Sequence, residues 1–303
     1  MKNKLLFLLL FIGQILFGQT EKLIKIAGTK CSLIPPNGFV PATAFSGFQN
    51  EETGASIMIN ELPAAYQSIA DDLTSDALDS RGMTLIDKQT IDFNGSSATL
   101  LYLSQPANGT TYLKQMLVFG DEAGTVLVNG IYPEESKDIE PEIKEAILST
   151  VYDKSQDDNP LDAAAFSVDI KDSDFQLIKY MSGNLLYSTD GKIPTEKPTL
   201  IVGNSIAKVS PINQKKYSEE RLKKLPRGES NVIKEIKEIT IDNLKGFEII
   251  ADGKTKDNKP ELVYQVMLFN ENGDYYLILG HTKEAFDKYL KSFKTIAKTF
   301  KRK

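Results

Sequence analysis

Two stretches of this chain, 150 residues apart, read almost alike: "QMLVFGDEAGTVLVNG", ending at Gly130, and "QVMLFNENGDYYLILG", ending at Gly280. Gln115, Phe119, Leu127 and Gly130 fall on Gln265, Phe269, Leu277 and Gly280 without a gap. Upstream, Thr90, Ile91 and Asp92 fall on Thr240, Ile241 and Asp242 at the same spacing. Matches in register and in the same order imply a tandem duplication. That is a strong constraint, because whatever one half builds the other must build too.

Each half follows one grammar. In the first, "KCSLIPP", "FSGFQN" and "ASIMINEL" read as short strands. A helix follows over "PAAYQSIADDLTSDALDS", with Tyr66, Ile69, Ala70, Leu73 and Ala77 on one face. Four strands in a meander come next, with Asn-Gly pairs at Asn94, Asn108 and Asn129 marking turns or bends. A helix from Pro141 to Val151 closes the half, with Ile143, Ala146, Ile147 and Val151 inward.

The second half repeats three strands, a helix over "SPINQKKYSEERLKKL" and a meander. Ser210 caps that helix, Pro211 suits its first turn and Pro226 helps to end it. Its last helix holds Phe286, Tyr289, Leu290, Phe293, Ile296, Ala297 and Phe300 in one apolar stripe, with Thr282 as cap. A helix with such a stripe buries it on a sheet face. The expected class is therefore α+β: two tandem copies of a mostly antiparallel β-sheet flanked by helices, an α/β sandwich. The copies span 19–152 and 163–303. The polar segment "DKSQDDNPLD" at 153–162 links them.

The first residues set the compartment. "MKNK" places two lysines before an apolar run from Leu5 to Phe17. That reads as a signal peptide over residues 1–18, because the run falls short of the ~20 residues needed to span a bilayer. The only cysteine, Cys31, lies well beyond the lipoprotein position and cannot form an internal disulfide. The expectation is a periplasmic or secreted protein with no stable transmembrane anchor after cleavage.

Losing residues 1–18 moves the net charge from −5 to −7, which argues against nucleic acid as a partner. The charge is unevenly divided. Residues 19–155 hold 9 basic and 19 acidic side chains, and residues 156–303 hold 25 and 22. Lys288, Lys291, Lys294, Lys298 and Lys301 form a row along one flank of the last helix. Such a row is ordinarily a solvated face. It is also the candidate binding stripe, for an anionic envelope surface or for docking between the two copies near Asp72, Asp76 and Asp79.

Catalytic residue types are sparse. The single histidine, His281, sits after Gly280 at a strand-to-helix junction, with no second histidine for a metal. Cys31 shares parity with Leu33 and points inward. Aligning "KCSLI" with "DFQLI" gives it Phe175 as counterpart, which makes it a packing site. Asp72, Asp76 and Asp79 share one helix side as a solvated acidic face and lack the tight Gly-containing turn of a calcium loop. No nucleotide, zinc-protease or nucleophile-elbow motif occurs.

The order of elements, with "LIPPNGF" opening a strand trio, a long helix, a meander carrying "ID-NG" and a closing helix, resembles the PsbP-like α/β-sandwich superfamily. "SLIPPNGFVPATAFSGFQNEETGASIMI" is also similar to exported bacterial proteins of that type. The resemblance covers the first copy best. It implies a non-catalytic domain that binds or stabilises protein assemblies, with no catalytic residues to carry over. The expectation is thus a non-enzymatic exported binding or assembly-stabilising protein of the cell envelope, without cofactor or metal, acting on an unknown protein or envelope component. The alternatives are a hydrolase using carboxylates or Cys31, and a carrier of an apolar ligand.

Overall fold

The computed structural model describes residues 22–107, 109–156, 158–206 and 212–303. Residues 1–18, read from the sequence as a signal peptide, and Asn108, Ser210 and Pro211 lie outside these residues. The first unit runs through β1 (Ile24–Lys25), β2 (Cys31–Leu33), β3 (Val40–Pro41), β4 (Gly47–Asn50), β5 (Ala55–Leu62), α1 (Tyr66–Asp72) and α2 (Ser75–Asp79). The meander β6 (Thr84–Phe93), β7 (Ser96–Ala107), β8 (Thr110–Gly120) and β9 (Thr125–Pro133) follows, then α3 (Glu140–Leu148) and β10 (Val151–Tyr152).

The second unit comprises α4 (Pro160–Ala163), β11 (Phe166–Ser167), β12 (Gln176–Met181), β13 (Asn184–Ser188), β14 (Thr199–Asn204) and α5 (Gln214–Lys223). Its meander is β15 (Val232–Ile241), β16 (Leu244–Lys254), β17 (Pro260–Phe269) and β18 (Tyr275–Thr282), closed by α6 (Phe286–Lys298) and β19 (Lys301–Arg302).

Two seven-stranded sheets result, with the orders β3-β4-β5-β9-β8-β7-β6 and β12-β13-β14-β18-β17-β16-β15. These are the same topology, antiparallel throughout. Together with the flanking helices they form the two-domain α+β sandwich read from the sequence. In each unit the closing helix covers one sheet face and the early helix covers the other. Ile143, Ala146 and Ile147 pack with Val126 and Val128, while Leu73 and Leu78 pack with Leu101, Leu103 and Val118 on the opposite side.

The repeated glycine that ends each phrase has a steric reason. A methyl group on Gly130 would lie 2.2 Å from Ile143 Cγ2, and one on Gly280 would lie 2.6 Å from the Phe293 ring. Both glycines let the closing helix approach the sheet backbone. Asn129-Gly130 is therefore inside β9 and is not a turn.

The gapless match does not survive in three dimensions. Phe93 and Ser96 flank one two-residue turn, and Ile241 and Leu244 flank the other, so these strands correspond at a spacing of 148. Gln115 lies opposite Gly130, whereas Tyr264 lies opposite Gly280, so β8 and β17 correspond at 149. Within the meander only β9 and β18 keep 150. The reason is turn length: Gly120 pairs with Thr125 across four residues, but Phe269 pairs with Tyr275 across five. An odd slip reverses side-chain direction. Gln115 thus faces the closing helix, with its Nε2 donating to Glu140 O, while Gln265 faces α5 and donates to Ser218 O.

Other expectations shift locally. The single early helix is two, because the Thr74 side chain accepts from Ala77 N and starts a new turn. Lys88 Nζ meanwhile donates to Ala70 O and Leu73 O at the end of α1. Asp72 therefore does not share a helix with Asp76 and Asp79. Val151 belongs to β10 and is exposed. Ala285, in the left-handed region, caps α6, and Thr282 lies in β18 and braces the turn through Glu284. Asn213 caps α5 by accepting from Lys216 N. Tyr289, Phe293, Ile296, Ala297 and Phe300 are buried, but Phe286 is 36% exposed because it begins the helix beyond the sheet.

Candidate functional site

The site grows from one residue out of pattern. Along β5, Ala55, Ile57 and Ile59 are buried and point to the core of the first unit. Glu61 continues that inward parity at the strand's end. Its Oε1 accepts from Lys30 N at 2.6 Å and lies 3.8 Å from Cys31 Sγ. Burial pushes the Glu61 carboxyl above its ordinary range. Burial, and next the charge of Glu61, push the Cys31 thiol well above its own. The thiol is therefore held in its protonated, weakly nucleophilic form.

Cys31 is fully buried on β2, as its parity requires, but its counterpart is not Phe175. β10 pairs with β2 and β19 pairs with β11 in the same manner, Tyr152 opposite Cys31 and Arg302 opposite Phe166. Phe166, also fully buried, is the equivalent position. One unit fills it with a ring and the other with a thiol.

The second unit meets the first at this end of β5. Asn60 Oδ1 accepts from Ser182 N at 3.2 Å and from Ser182 Oγ at 2.8 Å, and Lys179 Nζ donates to the Glu61 carbonyl. The Ser182-Gly183 turn needs its positive φ, 81° at Gly183, and a methyl group there would sit 2.4 Å from Ala44 O. Beside these contacts opens a cleft of about 1260 Å³, lined by both units.

One wall of the cleft is aromatic. Phe93 and Phe119 have ring centroids 4.8 Å apart, and Tyr152 stands edge-on to Phe119 at 6.4 Å. The facing wall carries Tyr180 of β12 and, on the loop after β13, Lys192, Ile193 and Pro194; Asp190 organises that loop by accepting from Ser188 Oγ and Thr195 Oγ1. Tyr180 is buried, its hydroxyl has no hydrogen-bond partner among the described residues, and burial pushes its phenol up to about 12. At the rim Lys154 pairs with Asp121 at 2.6 Å. The cleft thus offers rings and both signs of charge.

The lysine row is not brought to this cleft. Lys288 pairs with Asp174 and lies 5.0 Å from the Tyr289 ring centroid, and Lys294 faces Glu248 at 3.9 Å. Both acids belong to the second unit, so neither lysine docks on Asp72, Asp76 or Asp79. Lys291, Lys298 and Lys301 are exposed and form no ion pair among the described residues. His281 lies inside β18, not at a junction, with Nδ1 3.7 Å from Glu261 Oε2; the imidazole holds that carboxyl below its usual range. Among the described residues no three His, Cys, Asp or Glu side chains converge on a metal position, and no helix is long and apolar enough to cross a membrane.

No protein-family model and no curated protein matches the chain. Similar solved structures do exist. LpqN of Mycobacterium tuberculosis, involved in cell envelope biogenesis, is 16% identical at a TM-score of 0.35, covering 45% of this chain and 81% of its own. PsbP of the cyanobacterium Synechocystis is 14% identical at 0.30, covering 41% and 87%. The type VI secretion immunity protein TplEi of Pseudomonas aeruginosa is 14% identical at 0.35 and covers 92% of this chain and 97% of its own. These likenesses carry no functional argument at such scores.

Proposed function

We propose that this chain is a non-enzymatic, exported binding protein of the cell envelope, built from two PsbP-like units, 19–152 and 163–303, joined through 153–162. A segment of a protein partner lies in the cleft between them. The observation that carries this reading is the cleft itself: two units contribute its walls, and the buried Tyr180 hydroxyl beside it lacks a partner among the described residues. Rings with interspersed charge and few rotatable bonds favour protein segments over small apolar ligands. The buried Cys31 thiol, held protonated, weighs against a hydrolase that uses it. The filled packing under α6, where Phe293 and Phe300 are buried, weighs against a carrier holding an apolar ligand there.

Photo-crosslinking in the producing cells tests the reading. A photoreactive residue at Lys192, on the cleft wall, is compared with one at exposed Lys215 on α5. A discrete protein adduct from position 192 and none from 215 is the expected result. Equal labelling from both positions, or none from 192, overturns the assignment of the cleft.

A further inference from the structure

The two units differ most in chemistry at one shared position beneath the closing helix. In the second unit the Tyr264 ring stacks on Phe293, centroids 5.8 Å apart, and its hydroxyl donates to Glu248 Oε1 at 2.8 Å. Glu248 is only 4% exposed, and two ammonium groups face its Oε2, Lys237 at 3.7 Å and Lys294 at 3.9 Å. Ring volume fills the space, and two lysines answer the buried acid.

Strand pairing places Gln115 where Tyr264 stands, Leu100 where Glu248 stands and Gln89 where Lys237 stands. On the helix, the glycine contacts place Ile143 at Phe293. By that spacing Lys144 stands at Lys294 and Glu140 at Leu290. The acid has moved from strand to helix, two rings have become smaller side chains, and one of the two lysines has become a glutamine.

The result is a hollow of about 240 Å³, lined by Asp87, Gln89, Tyr102, Gln115, Glu140 and Lys144, with Leu100 as its apolar wall. Gln115 is 3% exposed, and among the described residues its Oε1 has no direct hydrogen-bond partner; nor has the buried Oε2 of Glu140. The Tyr102 and Tyr132 hydroxyls bond each other at 2.9 Å and stand beside Glu140 and Gln115, so the pair has one proton left for two acceptors. Buried acceptors short of donors are costly and uncommon in native proteins. Two of them line a cavity with room for roughly eight water-sized groups.

We propose that this hollow binds a primary ammonium on a short alkyl chain. The ammonium donates to Gln115 Oε1 and Glu140 Oε2 and takes the place that the second lysine holds in the other unit, while the chain lies along Leu100. An ammonium brings three donors and a positive charge, which suits two acceptors of which one is a carboxylate. An alcohol of the same shape brings one donor and no charge. The ammonium can belong to a free amine or to a lysine side chain.

Calorimetric titration of the full chain tests this, with n-butylammonium, n-butanol and an acetyl-lysine methylamide as probes. Butylammonium is expected to bind, and butanol to bind at least about tenfold more weakly. Glu140→Gln and Gln89→Lys should each lower butylammonium affinity by about 10- to 100-fold, the worth of one charge-assisted hydrogen bond. Gln89 is exposed, so Gln89→Lys keeps the fold and supplies internally the ammonium that Lys237 supplies in the second unit; an unchanged circular dichroism spectrum verifies this. Binding of the lysine derivative as well extends the site to protein side chains, and its exclusion restricts the site to free amines. Failure of butylammonium to bind, equal binding of the alcohol, or unaltered affinity in both variants overturns the proposal.

Discussion

Gly280 and Phe293 are locked together: the glycine's missing methyl is the space the phenyl ring occupies, and Gly130 stands to Ile143 in the same relation. The last residue of the repeated phrase is thus a docking point for the closing helix in each unit. Gly280→Ala and Gly130→Ala should each lose about 1–3 kcal/mol through overpacking. Chemical denaturation checks this, and wild-type midpoints in both variants would remove the explanation of the repeat.

Phe293 stacks on Tyr264, tilts against Phe175 and is fully buried. Phe293→Ala should cost about 3–5 kcal/mol, the ordinary loss on emptying a buried aromatic site. Phe286→Ala, truncating a ring 36% exposed on the same helix, should cost much less. Equal losses would mean that the stripe is not buried as described.

Cys31 predicts a chemical silence. Its thiol is fully buried and held protonated by burial and by Glu61. It should resist thiol reagents in the native protein and react once denatured. Cys31→Ser should cost about 1–3 kcal/mol by burying a hydroxyl in a site shaped for sulfur. Rapid labelling of the native thiol would contradict this placement.

Glu61 gives a pH dependence with a definite sign. The folded protein holds its proton more tightly than the unfolded chain does, so Glu61's contribution is complete below the ordinary carboxylate range. That contribution is lost as pH rises from there through the raised value. Glu61→Gln, which keeps an acceptor for Lys30 N, should flatten the fall. Thermal melts across about pH 4 to 7 should show the variant gaining on wild type with rising pH. A gain as pH falls would reverse the assigned shift.

Much of this was readable in the chain, and what was not has physical causes. The meander and closing helix follow from alternation and from the stripe around Phe293. The register did not, because turns of four and five residues look alike in a sequence that still matches at Gln265. The break in the early helix hinged on Thr74 serving as a cap. The lysine row was visible, but its partners Asp174 and Glu248 were not, since both reach it through tertiary folding. Glu61 left a signal in "ASIMINEL", an acid in the inward parity of a buried strand. Lys179, Tyr180 and Ser182 left none, because they meet β5 across some 120 residues of chain.

The account depends on a cleft of fixed shape, held by Asn60 with Ser182 and by the Glu61 carbonyl with Lys179 rather than by a lysine row against an acidic face. Small-angle scattering at low and high salt tests this most directly, since raising salt from 0.1 M to 1 M shortens the Debye length from ~10 Å to ~3 Å. An unchanged radius of gyration is predicted, because the close hydrogen bonds at this junction do not depend on charge acting at a distance. A particle that expands as salt rises would show the units held by long-range charge, and would contradict a preformed cleft between them.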